Sequence, residues 1–337
     1  MREAISVIKK ITFDKLNIIT FFFIVSCFFS RLNSNFFFID IFGHVSFQIL
    51  ISGILLFFIL LTLKRKWTTI ICFSTCVLLS IDILISCNHC NAIIKDKSQN
   101  YNKIRLVTFN TGLSKDFKNI QKMILSEKPD VILFQEISPK MQKELNTLKS
   151  IFPYSAGLSA PIEHFSSVIL SKHPLKNNKI TGQYVVSTTL MFREKELTII
   201  GIHMFAPLNS LLTKAIYGAL YKNLSKPPAD PNQFSLAMKQ MQHLKNLIGT
   251  KDQNLIIMGD LNMSGTSKRF TNFLEEVNLH TYISYTKRIS TWPTNLPNFF
   301  GIQIDHVLFS KNFKVLNKKV TSHFGSDHRP LIVDLVF

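Results

Sequence analysis

The chain has 337 residues, 46% of them hydrophobic and 18% charged, which excludes a disordered protein and is too apolar for an ordinary soluble domain of this size. The formal charge of +18 divides into +5 for residues 1–100 (10 basic, 5 acidic) and +13 for residues 101–337 (29 basic, 16 acidic). A basic half favours an anionic partner: nucleic acid, phospholipid or a phosphorylated metabolite. Genome composition competes on equal terms, because 31 of the 39 basic residues are Lys and the chain is rich in Asn, Ile and Phe, all encoded by AT-rich codons.

Residues 1–90 read as a membrane region. Fourteen of the 30 Phe lie before residue 100, as do all five Cys (27, 72, 76, 87 and 90). Val45 to Leu63 is an uncharged run followed by Lys64-Arg65-Lys66. Trp67 to Ser86 is a second apolar run, broken only by Asp82. Both suffice for a hydrocarbon core of roughly 30 Å. Leu16 to Ser30 is shorter, but the flanking Lys15 and Arg31 can snorkel to the interfaces. The sequence therefore predicts three membrane helices, at 16–30, 45–63 and 67–86. Arg2, Lys9, Lys10 and Lys15 precede the first and the basic triplet follows the second, which predicts a cytoplasmic amino terminus. Three crossings then place residues 101–337 outside the cytoplasm, in the periplasm if the cell is a bacterium with two membranes, its inner membrane holding the helices.

Three smaller features sit in this region, and a linker follows it. Ile24-Val25-Ser26-Cys27 loosely matches a lipoprotein cleavage box, but reads as part of an uncleaved span. Cys87 and Cys90 have the spacing of a redox pair or half a zinc site; with no second pair they read as an incidental juxtamembrane pair. His44 and Asp82 lie near membrane ends, where plain hydration is expected. Residues 91–102 are polar without an apolar period and read as a linker.

From residue 103 short β-rich runs alternate with helical periods. Strands are predicted at Ile104 to Asn110, Val131 to Phe134, Val168 to Leu170, Leu197 to His203, Leu255 to Met258, Ile304 to Phe309 and Leu331 to Val336. Helices are predicted at Phe117 to Glu127, Met141 to Leu148, Ser235 to Leu247 and Lys268 to Val277. The alternation implies a layered α/β or α+β fold. Residues 204–234 depart from it: Leu208 to Tyr221 is apolar with a helical look, and Pro227, Pro228 and Pro231 follow. This insertion reads as a loop that gates substrate or rests on a membrane surface.

Polar residues gather at the strand ends, which converge on one edge of a sheet. Thr108-Phe109-Asn110, Phe134-Gln135-Glu136, Gly201-Ile202-His203, Gly259-Asp260-Leu261-Asn262, Ile304-Asp305-His306 and Ser326-Asp327-His328-Arg329-Pro330 follow one another in order. This series resembles the endonuclease/exonuclease/phosphatase superfamily, which includes DNase I-like nucleases, inositol polyphosphate 5-phosphatases and neutral sphingomyelinases, and it covers residues 104–337. Asp40, His44, Gln48 and Thr291-Trp292-Pro293 further resemble the bacterial members with an amino-terminal membrane region.

The resemblance implies a DNase I-like four-layer α/β/β/α sandwich over residues 103–337. It also implies a Mg²⁺-dependent phosphoesterase, with Mn²⁺ as a substitute. Glu136 matches the principal metal-ligand position, and Asn110 and Asp327 match positions that complete the shell. Asp260 would orient or deprotonate the attacking water. Asn262, aimed the same way if the turn keeps strand alternation, would bond a phosphoryl oxygen. Asp305 would fix the tautomer of His328, which meets the phosphate, and His203 would stabilise the phosphate or protonate the leaving oxygen. A histidine that merely closes a strand is the competing reading of His203. His306 is expected to point away from Asp305, Arg329 to pair with an acidic neighbour, and neither is placed in the site. Nuclease and phospholipid or sphingolipid phosphodiesterase stand open as activities, with a silent scaffold on the same fold as the non-enzymatic alternative. No protein partner is implied.

Overall fold

The computed structural model describes residues 2–32, 37–85, 89–90, 94, 102–112, 114–160, 166–181, 185–206, 233–249, 254–284 and 288–337. By their contacts these form two units, Met1–Asn88 with Ser264–Asn272, and His89–Met263 with Phe273–Phe337. Residues 207–232 of the predicted 204–234 insertion and most of the predicted linker lie outside the described residues.

The first unit is helical: α1 (Arg2–Ser30), α2 (Phe37–His44), α3 (Ser46–Thr62) and α4 (Lys66–Ile85). Three-and-four spacing buries Ile49, Gly53, Leu56 and Leu60 of α3, and Cys72, Cys76, Leu79 and Ile83 of α4. Gly53 lets the helices approach closely, since a Cβ there would stand 2.3 Å from the Phe23 ring and 2.8 Å from Cys76 Sγ. Phe21, Phe22, Leu55, Phe58 and Leu78 point outward and are exposed.

Among the described residues one helix, Lys66–Ile85, is long and apolar enough to cross a membrane; Lys15–Ser30 and Ser46–Thr62 are shorter apolar helices. At 1.5 Å per residue the latter two reach only about 24–26 Å. The predicted 45–63 run is shortened because Val45, at φ −109° and ψ 19°, leaves the helical region. His44 and Asp82 are not simply hydrated as expected. Asp82 pairs with Arg31 and with Lys268, the latter at 3.5 Å, and His44 is buried against Asp40 at 3.0 Å.

The second unit holds two sheets. The first has six strands in the order β10-β11-β1-β2-β4-β3 and the second five in the order β5-β6-β7-β8-β9. The strands that matter are β1 (Lys103–Asn110), β2 (Val131–Gln135), β4 (Val168–Ser171), β6 (Val185–Phe192), β7 (Lys195–His203), β8 (Leu255–Asp260), β9 (Asp305–Phe309) and β11 (Leu331–Val336). Period-two alternation gives each strand two apolar faces. Ile104, Leu106, Leu133, Leu197, Ile199, Ile256, Met258, Val333 and Leu335 join in one core between the sheets. Val107, Phe109, Ile132 and Phe134, on the opposite face, pack with Ile120 and Ile124 of α5 (Phe117–Glu127) and Met141 and Leu145 of α6 (Pro139–Asn146). The remaining helices are α7 (Gln233–Ile248) and α8 (Lys268–Val277).

The predicted elements match closely, with Phe117–Glu127, Lys268–Val277 and Leu331–Val336 found at the expected bounds. Four strands were not predicted: β3 (Tyr154–Ala156), β5 (Leu175–Thr181), β6 and β10 (Lys314–Val320). Sheet edges are formed by β3, β5, β9 and β10, and the exposed Lys- and Asn-rich face of β5 is what an edge needs to resist pairing with another chain.

Candidate active site

Strand register assembles the site. In the second sheet β7 and β8 run parallel with His203 beside Asp260, and β8 and β9 run antiparallel with Asp260 beside Asp305. Three residues more than a hundred positions apart in the extreme thus share one row. In the first sheet β1 and β2 run parallel with Asn110 beside Gln135, so Glu136 is the first residue past the register. Glu136 takes φ +50° there, and Gly259 takes φ +146° just before Asp260. Only glycine fits at 259: a Cβ would stand 1.8 Å from the Ile202 carbonyl oxygen.

The two sheets meet through hydrogen bonds. Asn110 Nδ2 donates to Glu136 Oε1 and to Asp260 Oδ2, each at 3.1 Å. His203 Nε2 lies 3.5 Å from Glu136 Oε1 and 3.8 Å from Asp260 Oδ2. His328 Nε2 lies 3.7 Å from the same Asp260 oxygen, while its Nδ1 meets Asp305 Oδ2 at 2.9 Å. Asp260 Oδ2 is therefore the meeting point of one amide and two imidazoles. Ser326, which opens the last motif but is given no role there, supports this arrangement: its hydroxyl donates to the Asn110 carbonyl at 2.8 Å and accepts the His328 N–H at 2.9 Å. Thr291 does likewise for the neighbouring strand, its hydroxyl accepting the Ile304 and Asp305 N–H groups.

Asp327 joins from the side. The Gly112 N–H donates to Asn110 Oδ1 at 3.0 Å, and a Cβ on Gly112 would meet Asp327 Oδ1 at 2.6 Å, so Asn110 and Asp327 share Gly112 as a neighbour. Trp292 Nε1 donates to Asp327 Oδ2 at 3.3 Å. Asn262 is the residue least drawn in. Its N–H donates to Asp260 Oδ1 at 2.8 Å, but its Nδ2 donates to the Met204 carbonyl at 2.7 Å. The expected strand alternation does not govern it, because its φ is +50°.

Burial decides the charges. Desolvation, followed by the neighbouring charge of Asp305, pushes the Asp260 carboxyl up to about 7, against the opposing pull of His328, the Asn262 N–H and the Asn110 amide. For His328 burial opposes protonation, but Asp305 and Asp260 outweigh it and push the imidazole up to about 10. An imidazolium held between two carboxylates is the result. Asp260, Asp305 and His328 also offer ligand atoms within 4.8 Å of one another, but the His328–Asp305 hydrogen bond already places a proton there.

His306 points away as expected, its Nε2 reaching the Met263 carbonyl at 2.9 Å, and burial drives it down to about 3. The Arg329 guanidinium reaches the carbonyls of Thr294 and Leu296, each at 3.1 Å, and so holds the loop that follows Trp292. Cys90 is disulfide-bonded; Cys87, the other member of the predicted pair, lies outside the described residues.

The comparisons agree with this geometry. The Endonuclease/Exonuclease/phosphatase family profile matches residues 107–328. Among solved structures, an AP endonuclease from Archaeoglobus fulgidus is 11% identical, with 68% of this chain and 98% of that one covered at a TM-score of 0.52. SmcL is 16% identical, covering 70% and 99% at 0.50. Both likenesses are of fold. No curated protein sequence matches the chain significantly. With its profile match over most of the chain, two sheets of the expected kind and the six motifs brought to one place, the chain belongs to the endonuclease/exonuclease/phosphatase family and is a hydrolase acting on ester bonds.

Proposed function

We propose that the protein is a membrane-anchored phosphoesterase dependent on a divalent cation, Mg²⁺ first, that directs water onto phosphorus. The observation that carries this reading is the surplus of carboxylate, buried at Asp260 and Asp305 and half-buried at Glu136. Glu136, Asp260 and Asp305 face the two imidazoles, and among the described residues no Lys or Arg pairs with any of them. Uncompensated carboxylate in a buried site is relieved by a hard cation with oxygen ligands. Glu136, Asp327 and Asn110 Oδ1 are the oxygens that would hold it. When bound, such an ion supplies Lewis-acid polarisation of the phosphoryl group.

The chain's own residues do the rest. Asp260, pushed up to about 7, is matched to taking a proton from water near neutrality. Asp305 fixes the His328 ring through Nδ1 and leaves Nε2, still protonated, to donate to a phosphoryl oxygen as negative charge grows there. His203 stands on the other side of Asp260 and can donate to the leaving oxygen. Asn110 keeps Glu136 and Asp260 from separating.

Two observations support an extracytoplasmic catalytic half: the basic residues flanking the apolar helices, Arg2, Lys9, Lys10, Lys15 and Lys64-Arg65-Lys66, and the disulfide at Cys90, which suits an oxidising compartment. One observation favours a lipid phosphodiester over nucleic acid. The loop that leaves Trp292 and returns at Ile302 presents Phe299 and Phe300 at 47% and 55% exposure, and its base touches Asp327. Adjacent exposed aromatics at a site rim partition into a bilayer interface.

The test uses the full chain in detergent micelles, with bis(p-nitrophenyl) phosphate, plasmid DNA and phospholipid vesicles as substrates. Hydrolysis of at least one substrate with Mg²⁺, loss with EDTA and loss in Asp260→Asn are expected. Undiminished turnover in EDTA would remove the cation from the proposal.

A further inference from the structure

The first unit contains a segment from far along the chain, Ser264–Asn272. It begins two residues after Asn262, and what holds it is a buried polar cluster that the hydrolytic site does not use. The Ser264 N–H donates to His44 Nδ1 at 3.0 Å. A backbone amide can only donate, so Nδ1 is the bare nitrogen and the ring proton sits on Nε2. That proton faces Asp40 Oδ2 at 3.0 Å, and Arg269 Nη2 reaches the same oxygen at 2.8 Å. The 3.3 Å approach of Arg269 Nη2 to His44 Nε2 is donor beside donor, both serving Asp40. All three side chains are buried.

The same segment is pinned again one turn on. Thr266 Oγ1 donates to the Gly43 carbonyl at 3.1 Å, and Arg31 Nη1 donates to the Thr266 carbonyl at 3.2 Å. A Cβ on Gly43 would already be 3.3 Å from Ser267. Only Met263 separates the anchored Ser264 from Asn262, and its carbonyl is itself held by His306. Two residues of chain span at most about 7 Å, so a displacement at Ser264 reaches the Asp260–Asn262 turn with little slack to absorb it.

We propose that Asp40, His44 and Arg269 are positioning residues for hydrolysis: His44, oriented by the Asp40–Arg269 pair, fixes Ser264 and through it the turn that carries Asp260 and Asn262. This rests on the assignment of Asp260 to the chemistry.

The experiment compares the full chain in detergent with His44→Leu, which has no acceptor for Ser264, and His44→Asn, whose amide oxygen can stand where Nδ1 does. The readouts are kcat and KM for bis(p-nitrophenyl) phosphate with Mg²⁺, thermal midpoint, and hydrogen–deuterium exchange over residues 260–268. Expected are a fall in kcat of ~10-fold or more for His44→Leu with KM within about twofold, faster exchange over that segment, and recovery of both in His44→Asn. Wild-type kcat and exchange in His44→Leu would overturn the proposal. So would equal losses in both variants with a matching drop in thermal midpoint, since that marks a fold contact alone. Asp260→Asn is measured alongside: if it stays active, the site assignment fails; if it is dead while His44→Leu is normal, only the positioning role fails. The exchange measurement reads the His44–Ser264 bond even without turnover.

Discussion

Gly259→Ala should disable the enzyme through one methyl group. The Cβ would be built 1.8 Å from the Ile202 carbonyl oxygen, where contacts below 3.0 Å are essentially never seen, so β7 and β8 must move apart by roughly an ångström. These strands carry His203 and Asp260 as register partners, 3.8 Å apart at their nearest charged atoms. A misplacement of ~1 Å in a catalytic arrangement costs on the order of 100-fold in rate. The φ of +146° at this position adds backbone strain of about 1–3 kcal/mol. The assay is kcat for a chromogenic phosphodiester beside the thermal midpoint. Gly249→Ala is the control, with φ +58° but nothing within 4 Å of the added Cβ. It should lose about 1 kcal/mol of stability and keep its rate. A Gly259→Ala protein with wild-type kcat would refute the reasoning, because it would mean that the strand pairing does not hold the site.

Asp260 makes a second prediction through pH. Its carboxyl is pushed from 3.8 to about 7 on folding, so the folded state holds a proton that the unfolded state releases between about pH 4 and 7. The stability of the cation-free protein should therefore fall as pH rises through that interval. Thermal midpoints in EDTA should show this slope in the wild type and a flatter one in Asp260→Asn; identical slopes would reject the assignment. A third prediction concerns the first sheet. Arg105 grips Asp334 with two hydrogen bonds, at 2.6 and 2.9 Å, across the β1–β11 pair. Asp334→Asn should cost about 2 kcal/mol, read by denaturant titration, because the half-buried guanidinium loses its two-bond charge partner and keeps only Glu127, 3.6 Å away. A change below 0.5 kcal/mol would mean that solvent already satisfies Arg105.

Much of the catalytic half was legible because its signals are local. The run Val131 to Phe134, closed by Gln135-Glu136, and the run Leu255 to Met258, closed by Gly259-Asp260, announce buried strands ending in polar groups, and both strands are present. The order of the six motifs named the family that the profile match shows. Strands β5 and β10 escaped because an edge strand can be as polar as a loop; the Lys and Asn side chains of β5 are exposed. The first span was predicted from composition, and its helix is present, but its apolar part, Lys15–Ser30, is short.

His44 and Asp82 show the limit most clearly. Hydropathy placed them near membrane ends and predicted water as their partner, whereas the fold supplies Asp40 and the Ser264 N–H to one and Arg31 and Lys268 to the other. By itself the sequence determined most of the strands and helices and which residue types could act on a phosphate ester, since periodicity and side-chain chemistry belong to neighbours along the chain. The tertiary structure alone decided that Asn110 would stand between Glu136 and Asp260, that Asn262 would turn to Met204, and that residues 264–272 would join the amino-terminal helices. Those outcomes depend on strand register and backbone φ, which arise from contacts between residues that no local pattern brings together.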